Sequence, residues 1–170
     1  IGIQNNGQLG AWGINTNGQL GKNDQTHRSS PVQEVLGGTN WKAISCGAYH
    51  AAALKADGTL WAWGRNTSGQ LGKGDTTHRS SPVQEALANT TWKSVACGGY
   101  HTLGIQMNGE LWAWGYGGDG ALGDNSITNK STPVQTVSAG TNWKQAIGGQ
   151  SFSAAIKMDG TVWAWGNNTY

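Results

Sequence analysis

The side chains best suited to chemistry in this sequence recur at equal spacing along the chain. Two pairs of histidines are each separated by 51 residues: His27 with His78, and His50 with His101. A row of equivalent imidazoles could bind metal ions, but the third copy of the pattern has Asn129 and Phe152 at these positions. No His-x-x-x-His or Cys-x-x-Cys spacing occurs either. We therefore predict that the histidines make structural hydrogen bonds and that the chain has no metal site.

The cysteines and two of the aspartates follow the same spacing. Cys46 and Cys97 occupy equivalent positions, and Gly148 replaces them in the third copy. Equivalent points of neighbouring units rarely come close enough for a disulfide, so we predict two small buried thiols. Asp24 and Asp75 are predicted to cap loops.

A catalytic set should interrupt the repeat, because it is needed only once. The interruptions include Gly10, Tyr116, Asp119 and Phe152, and none of them forms a Ser-His-Asp or Cys-His arrangement. The Gly-rich segments, such as Asn66–Gly72, lack the Gly-Lys-Ser/Thr end of a phosphate-binding loop. We predict a protein without catalytic residues or cofactors. Tyr116, Asp119 and Phe152 are our candidate partner contacts.

A tryptophan-rich motif identifies the repeating unit whose strands position these residues. The segment Leu60–Gly64 (LWAWG) returns as Leu111–Gly115 and Val162–Gly166, with a degenerate copy at Leu9–Gly13. A constant period of 51 residues indicates one structural unit copied head to tail. We treat 1–170 as a single repeat domain, divided into a partial repeat at 1–13, repeats at 14–64, 65–115 and 116–166, and the start of the next repeat at 167–170.

Each unit contains four strand signals joined by turn signals. In the first full unit, an apolar strand runs over Ala43–Cys46 after Trp41-Lys42, and a glycine turn leads to a second strand at His50–Lys55. Asp57-Gly58 then predicts a two-residue type I′ hairpin turn into LWAWG. A later Pro-Val-Gln segment predicts the start of an edge strand. The predicted turn glycines are Gly7, Gly58, Gly109 and Gly160.

The LWAWG motif also predicts how the strands pack. Trp61 and Trp63 are two residues apart and share one face of the strand, whereas Leu60 and Ala62 share the other. Both faces are apolar, so we expect stacked sheets in which tryptophans of one sheet contact small residues of the next. The prediction is an all-β fold, a β-propeller built from four-stranded blades. The predicted core tryptophans are Trp12, Trp41, Trp61, Trp63, Trp92, Trp112, Trp114, Trp143, Trp163 and Trp165.

The repeat resembles that of the regulator-of-chromosome-condensation family. The shared pattern is WK-x-(I/V)-x-C-G-x-Y-H, then D/N-G-x-L-W-A-W-G-x-N-x-x-G-Q-L-G and S-P-V-Q, and it covers essentially the whole chain. The resemblance implies a seven-bladed propeller, of which about three and a third repeats are present. It also implies roles that range from nucleotide exchange on a small GTPase, through chromatin docking and β-lactamase inhibition, to protein-interaction modules.

Two features of the sequence limit what the resemblance implies. The family's exchange factor works through a protruding insertion, whereas no loop here is longer in one repeat than in another. Exchange activity is therefore not expected. The chain is also shorter than seven repeats of 51 residues require. We expect it to be a section of a longer repeat array, or a protomer whose open ends are covered by neighbours.

Composition and charge exclude several classes of protein. The net charge of +2 is evenly spread without a Lys/Arg run, so we predict no nucleic-acid binding. No apolar run approaches the length of a membrane span. We predict an extracellular or cell-surface protein. Its candidate glycosylation sites are Asn66, Asn89, Asn129 and Asn167.

Two functional hypotheses follow from these patterns. The first is a non-enzymatic scaffold that binds a protein or glycan partner through equivalent loops, or assembles with further copies or sections of the same array. The alternative is a regulatory or inhibitory propeller that acts on one enzyme or a small GTPase. The alternative requires a single aromatic or charged hot spot that interrupts the repeat symmetry.

Overall fold

The computed structural model describes residues 1–138 and 140–169, and it is built from antiparallel β-sheets. The strands are β1 (Gly2–Ile3), β2 (Leu9–Gly13), β3 (Arg28–Gln33), β4 (Trp41–Cys46), β5 (His50–Lys55), β6 (Leu60–Gly64), β7 (Arg79–Gln84), β8 (Trp92–Cys97), β9 (His101–Gln106), β10 (Leu111–Gly115), β11 (Lys130–Gln135), β12 (Trp143–Gly148), β13 (Phe152–Lys157) and β14 (Val162–Gly166). A short 3₁₀ turn spans Gly118–Gly120. The all-β prediction is confirmed. Among the described residues, no helix has the length and apolar character that crossing a bilayer would need.

The strands form four sheets in which chain neighbours pair. Sheet 1 contains β1 to β3, sheet 2 contains β4 to β7, sheet 3 contains β8 to β11, and sheet 4 contains β12 to β14. The two complete sheets each run from a Trp-Lys strand to a Pro-Val-Gln strand. The strands β4, β8 and β12 lie beside one another as the inner strands of the stack. The predicted blade of four strands is therefore present.

The outer strand of each complete sheet begins earlier than its proline suggested. We expected Pro82 to start an edge strand, but β7 begins at Arg79 and Pro82 lies inside it. The pairing of β6 with β7 is interrupted between Ala62 and Gly64. A proline, which has no N–H to donate, is tolerated in an edge strand next to such an irregularity.

The hairpin between β5 and β6 differs from the predicted type I′ turn. Gly58 has a φ of +82°, but Asp57 does not have a positive φ. The N–H of Gly58 donates to the carbonyl of Lys55, and the N–H of Lys55 donates to the carbonyl of Thr59. These bonds define a three-residue loop, in which a type I turn is followed by a left-handed glycine. The same bonds recur in the other three hairpins.

The tryptophan face of each sheet after the first packs against the leucine and alanine face of the preceding sheet, as predicted. Trp41 and Trp63 of sheet 2 are buried in one cluster with Leu9 of sheet 1. Leu60 and Ala62, on the other face of sheet 2, are buried against tryptophans of sheet 3. The arrangement repeats between sheets 3 and 4. A buried aromatic side chain removes more apolar area from water than any other, so these contacts dominate the packing energy.

Two of the tryptophans predicted for the core are instead nearly half exposed. Trp12 is 46% exposed and Trp163 is 44% exposed. Trp12 is equivalent to Trp63, whose indole contacts the preceding sheet, and no sheet precedes sheet 1 in the structure. Trp163 lies on β14, which is the edge strand of sheet 4 because no outer strand pairs with it.

Candidate protein-binding rim

The two edges of the stack differ in how strictly they repeat. One edge, here called the turn rim, contains the turns 47–49, 98–100 and 149–151 and the long loops 14–27, 65–78 and 116–129. The opposite edge, the hairpin rim, contains the hairpin loops 56–58, 107–109 and 158–160. All four histidines and all three arginines of the sequence lie in or beside the segments of the turn rim.

The long loops of the turn rim are built around a buried asparagine. The Asn66 side chain is fully buried, accepts the N–H of Leu71 at 2.9 Å and donates to the Asp75 carbonyl at 2.9 Å. The N–H of Asn66 donates to Nδ1 of His78 at 2.8 Å. Asn15 and His27 form the same contacts one repeat earlier. The loop therefore has a fixed shape, and its Gly-rich segment forms turns.

This geometry corrects one candidate glycosylation site. The Asn66 amide is fully buried and hydrogen bonded, so it cannot accept a glycan in the folded protein. Asn129 is exposed, whereas Asn89 and Asn167 are partly exposed. Glycosylation at these three asparagines stays a prediction.

The loop aspartates form ion pairs with arginines. Arg28 Nη2 lies 2.7 Å from Asp24 Oδ2, and Arg79 Nη2 lies 2.6 Å from Asp75 Oδ2. The pKa of Asp24 is lowered, first by the N–H of Thr26 and then by the charge of Arg28. These aspartates also accept backbone N–H groups two residues on, so the predicted capping role is confirmed.

Two buried histidines connect neighbouring sheets through hydroxyl groups. His50 Nε2 lies 3.0 Å from Thr102 Oγ1, and that hydroxyl donates to the Gln70 carbonyl at 2.9 Å. Because the hydroxyl proton goes to the carbonyl, Nε2 of His50 must be the donor to Thr102. His101 has the equivalent bond, 2.9 Å long, to Ser153. The predicted structural role of these histidines is confirmed.

Burial keeps both histidines neutral. Desolvation lowers the pKa of His50 to about 3, with a smaller contribution from His101. Desolvation also lowers the pKa of His101 to about 4. Neither imidazole is placed to take up a proton near neutral pH. In residues 1–138 and 140–169, no group of three His, Cys, Asp or Glu side chains could hold a metal ion.

The two cysteines are free thiols in different environments. Cys97 is buried and its N–H donates to Ser45 Oγ at 2.9 Å, whereas Cys46 is exposed. Burial raises the pKa of Cys97 to about 12, so this thiol is not a nucleophile near neutral pH. The prediction of two buried thiols is thus wrong for Cys46. Its position corresponds to that of Cys97, but sheet 1 has no inner strand to cover it.

The predicted partner contacts all lie on the turn rim, on two consecutive sheets. Tyr116 is partly exposed directly after β10 and its ring lies over Gly118. Asp119 is exposed in the 3₁₀ turn with a φ of +59°. Phe152, at the start of β13, is 43% exposed and its ring lies over Gly149, as the His50 ring lies over Gly47.

A second aromatic cluster of the turn rim was not predicted. The guanidinium carbon of Arg65 lies 5.7 Å from the ring centre of Tyr49 and 5.5 Å from that of Tyr100. The sequence contains a signal for this site, because Arg65 has Ile14, Tyr116 and Asn167 at its equivalent positions. Arginine and tyrosine are enriched in the energetic centres of protein interfaces.

An open stack of antiparallel sheets, of which the two complete ones have four strands, defines a section of a β-propeller. One model of the "regulator of chromosome condensation (RCC1) repeat" matches residues 6–54, 57–105 and 108–156. A second model of the same repeat matches residues 41–70 and 92–121. The chain belongs to this family.

Curated relatives are longer than this chain and differ in role. The "Ultraviolet-B receptor UVR8" of Arabidopsis thaliana is 31% identical over 173 residues, which are 100% of this chain and 39% of the receptor. The mitochondrial "RCC1 domain-containing protein RUG3" of the same plant is 37% identical over 74% of this chain and 28% of its own length. The human "E3 ubiquitin-protein ligase HERC2" is 33% identical over 94% of this chain, but only 4% of the ligase is covered. The chain therefore spans less than half of each of these relatives.

Solved structures support the same fold. Human WBSCR16 superposes with a TM-score of 0.85 at 24% identity, over 98% of this chain and 44% of that protein. Yeast RCC1 (Prp20), in a structure bound to Kap60, gives a TM-score of 0.80 at 25% identity over 94% and 40% of the two chains. These neighbours establish the propeller fold, and the family as a whole indicates an interaction or regulatory propeller.

Proposed function

We propose that this chain is a non-enzymatic, protein-binding section of a regulatory propeller and that the turn rim is its binding surface. The observation that supports this proposal is the distribution of one-off aromatic and arginine residues. Arg65, Tyr116 and Phe152, none of which has the same residue type at an equivalent position, lie in or beside the segments of the turn rim. Arg65 there contacts Tyr49 and Tyr100, which are equivalent to each other. The hairpin rim instead repeats the same Asx-Gly loops. A binding surface for one partner is expected to break the repeat symmetry.

One relative of known structure binds other proteins, which is consistent with this proposal. Prp20 is described as bound to Kap60 and as having binding properties toward Gsp1p and histones. Those partners belong to that protein, and the proposal for this chain specifies only that the partner is a protein. We also propose an extracellular or cell-surface location, and a glycan ligand is the alternative to a protein partner.

Site-specific photo-crosslinking tests the proposed surface. A photoreactive phenylalanine analogue replaces Tyr116 on the turn rim in one variant and Met107 on the hairpin rim in another. Met107 is 59% exposed, which makes it a fair control for access. We expect a discrete protein adduct in the native host from the Tyr116 variant only. Equal labelling from both rims, or none from the turn rim, would contradict the proposal.

Self-assembly is a second candidate because apolar surface is exposed at one end of the stack. Val162 is 71% exposed, whereas the equivalent Leu60 and Leu111 are buried between sheets. A groove of about 750 Å³ where β14 ends is lined by residues that include Phe152 and Trp165. A further sheet with a tryptophan face, from this array or from another copy, would match this surface. The mass of the particle in solution, measured over a range of protein concentrations, tests this candidate.

A further inference from the structure

We propose that Tyr49, Arg65 and Tyr100 form a docking slot for the carboxylate of an acidic side chain on a protein partner. This proposal rests on the function proposed above and specifies the chemical group that the turn rim recognises. We call these three residues the arginine slot.

The arginine side chain is held in place by groups of two sheets. Tyr49 belongs to the turn of sheet 2 and Tyr100 to the turn of sheet 3, and the guanidinium carbon lies 5.7 Å and 5.5 Å from their ring centres. The backbone N–H of Arg65 donates to the Tyr49 carbonyl at 2.8 Å, and the side-chain Nε–H donates to Thr67 Oγ1 at 3.0 Å. A guanidinium fixed in this way loses little further side-chain entropy when it binds an anion.

Among the described residues, Arg65 differs from the other two arginines in having no acidic partner. Arg28 and Arg79 each form an ion pair with an aspartate of their own loop. None of the ion pairs in residues 1–138 and 140–169 includes Arg65. Within those residues its Nη1 and Nη2 groups also have no hydrogen-bond acceptor, and the side chain is partly exposed. The donors that suit a bidentate acceptor are therefore free.

The slot occurs at a single interface between sheets. The position of Arg65 is occupied by Tyr116 in the next repeat, and the position of Tyr49 and Tyr100 is occupied by Ser151 in the last. The interface between sheets 3 and 4 thus lacks both the guanidinium and the second ring. A structural brace needed by the fold would recur at each interface, as the histidine-to-hydroxyl bonds do.

A protein carboxylate fits the slot better than a nucleic acid does. Binding to a nucleic-acid backbone needs several cations along a strand. Here one guanidinium, which has no ion pair among the described residues, lies beside two tyrosine rings, and Arg28 and Arg79 form ion pairs with their aspartates. A planar carboxylate can accept two parallel N–H bonds from one guanidinium.

The test uses a short peptide of glutamates as the probe for the full chain at constant ionic strength. Chemical shifts of the arginine Nε–H groups report binding, and peptides of glutamine and a short oligonucleotide serve as comparison probes. The variants are Arg65→Gln, Arg65→Lys and the matched control Arg79→Gln, which removes an arginine of the same rim that already has an ion pair. Thermal unfolding confirms that each variant is folded.

We expect the glutamate peptide to shift the Arg65 signal and Arg65→Gln to weaken binding about tenfold or more, as the loss of charge-assisted bonds would. Arg79→Gln should bind like the parent, and Arg65→Lys should recover only part of the affinity because lysine cannot bind a carboxylate through a fork. The inference is wrong if Arg65→Gln and Arg79→Gln bind equally, or if the oligonucleotide or the glutamine peptide binds as well as the glutamate peptide.

The outcome for the proposed function is read separately, from photo-crosslinking at Tyr116. If the adduct forms and persists in Arg65→Gln, while the peptide distinguishes no variant, the turn rim binds a protein but not through this slot. If no adduct forms, the proposed function fails whatever the peptide shows.

Discussion

At the scale of single residues, the buried histidines make stability depend on pH. The folded-state pKa values of His50 and His101, about 3 and about 4, lie below the ordinary value of 6.5. The unfolded chain therefore binds more protons than the native state between these values, so the free energy of unfolding falls as the pH falls below about 6.5. We expect a loss of about 2 kcal/mol per histidine from pH 7.5 to pH 5.

Denaturant titrations of the parent and of His101→Phe at several pH values measure this effect. Phenylalanine occupies the equivalent position 152 in the next repeat, so the substitution has a precedent in the chain. The substitution removes one of the two buried imidazoles. It should therefore reduce the dependence of the free energy of unfolding on pH by about half. Asp24 and Asp57 have lowered pKa values and contribute mainly below pH 4, outside this window. An unchanged slope in His101→Phe would show that other groups cause the dependence.

A second residue-scale prediction concerns a buried indole without an acceptor. Glu34 and Glu85 each accept the Nε1–H of a buried tryptophan at 3.2 Å, but Thr136 stands at their position in the third copy. Trp143 Nε1 has no acceptor among the described residues. We expect Thr136→Glu to raise the free energy of unfolding by about 1 kcal/mol, because it satisfies a buried donor. Thr136→Leu is the control for side-chain size, and an equal gain from both variants would rule out the hydrogen bond as the cause.

At the scale of elements, the hairpin glycines have two separable roles. A Cβ on Gly58 would collide with the carbonyl of Thr90, which follows sheet 2, whereas a Cβ on Gly160 would meet no atom within 4 Å. Both glycines have similar positive φ values, +82° and +87°. Gly160→Ala should therefore cost about 1–2 kcal/mol for the left-handed conformation alone. Gly58→Ala should cost about 1–3 kcal/mol more, because the backbone or the loop must move. Chemical denaturation of both variants measures the difference, and equal costs would show that the loop yields freely.

The strand elements could be predicted from the sequence because their signals are local. The alternation in LWAWG and the position of each turn glycine identified strands and hairpins close to their observed bounds. The type of hairpin was not predictable from Asp57-Gly58 alone, since the same dipeptide also suits a longer loop with a left-handed glycine. The Arg65 contact joins turns of two sheets, and only the three-dimensional stack brings Tyr49 and Tyr100 close to it.

At the scale of the whole molecule, the sheets are stacked in chain order, and the main contacts between sheets join consecutive ones. Stability in such a stack is approximately a sum over sheets and interfaces. The leucine and alanine faces of sheets 2 and 3 are covered, but the corresponding face of sheet 4 is exposed. The same substitution should consequently have different effects at equivalent positions. A comparison of the two positions therefore shows whether the stack stays isolated in solution or associates through sheet 4.

Leu111 and Val162 provide that comparison, since both begin the third strand of their sheet. Leu111→Lys places a charge at a position that is 1% exposed and should lower the free energy of unfolding by about 3 kcal/mol or more. Val162→Lys changes a residue that is 71% exposed and should alter it by less than about 0.5 kcal/mol in dilute solution. If the chain assembles through sheet 4, Val162→Lys should also reduce the particle mass at high concentration, as measured by light scattering. A parent chain whose mass is constant with concentration and equal to that of the variant would exclude assembly through this face. Recognition by the turn rim would then remain the function that the surface supports.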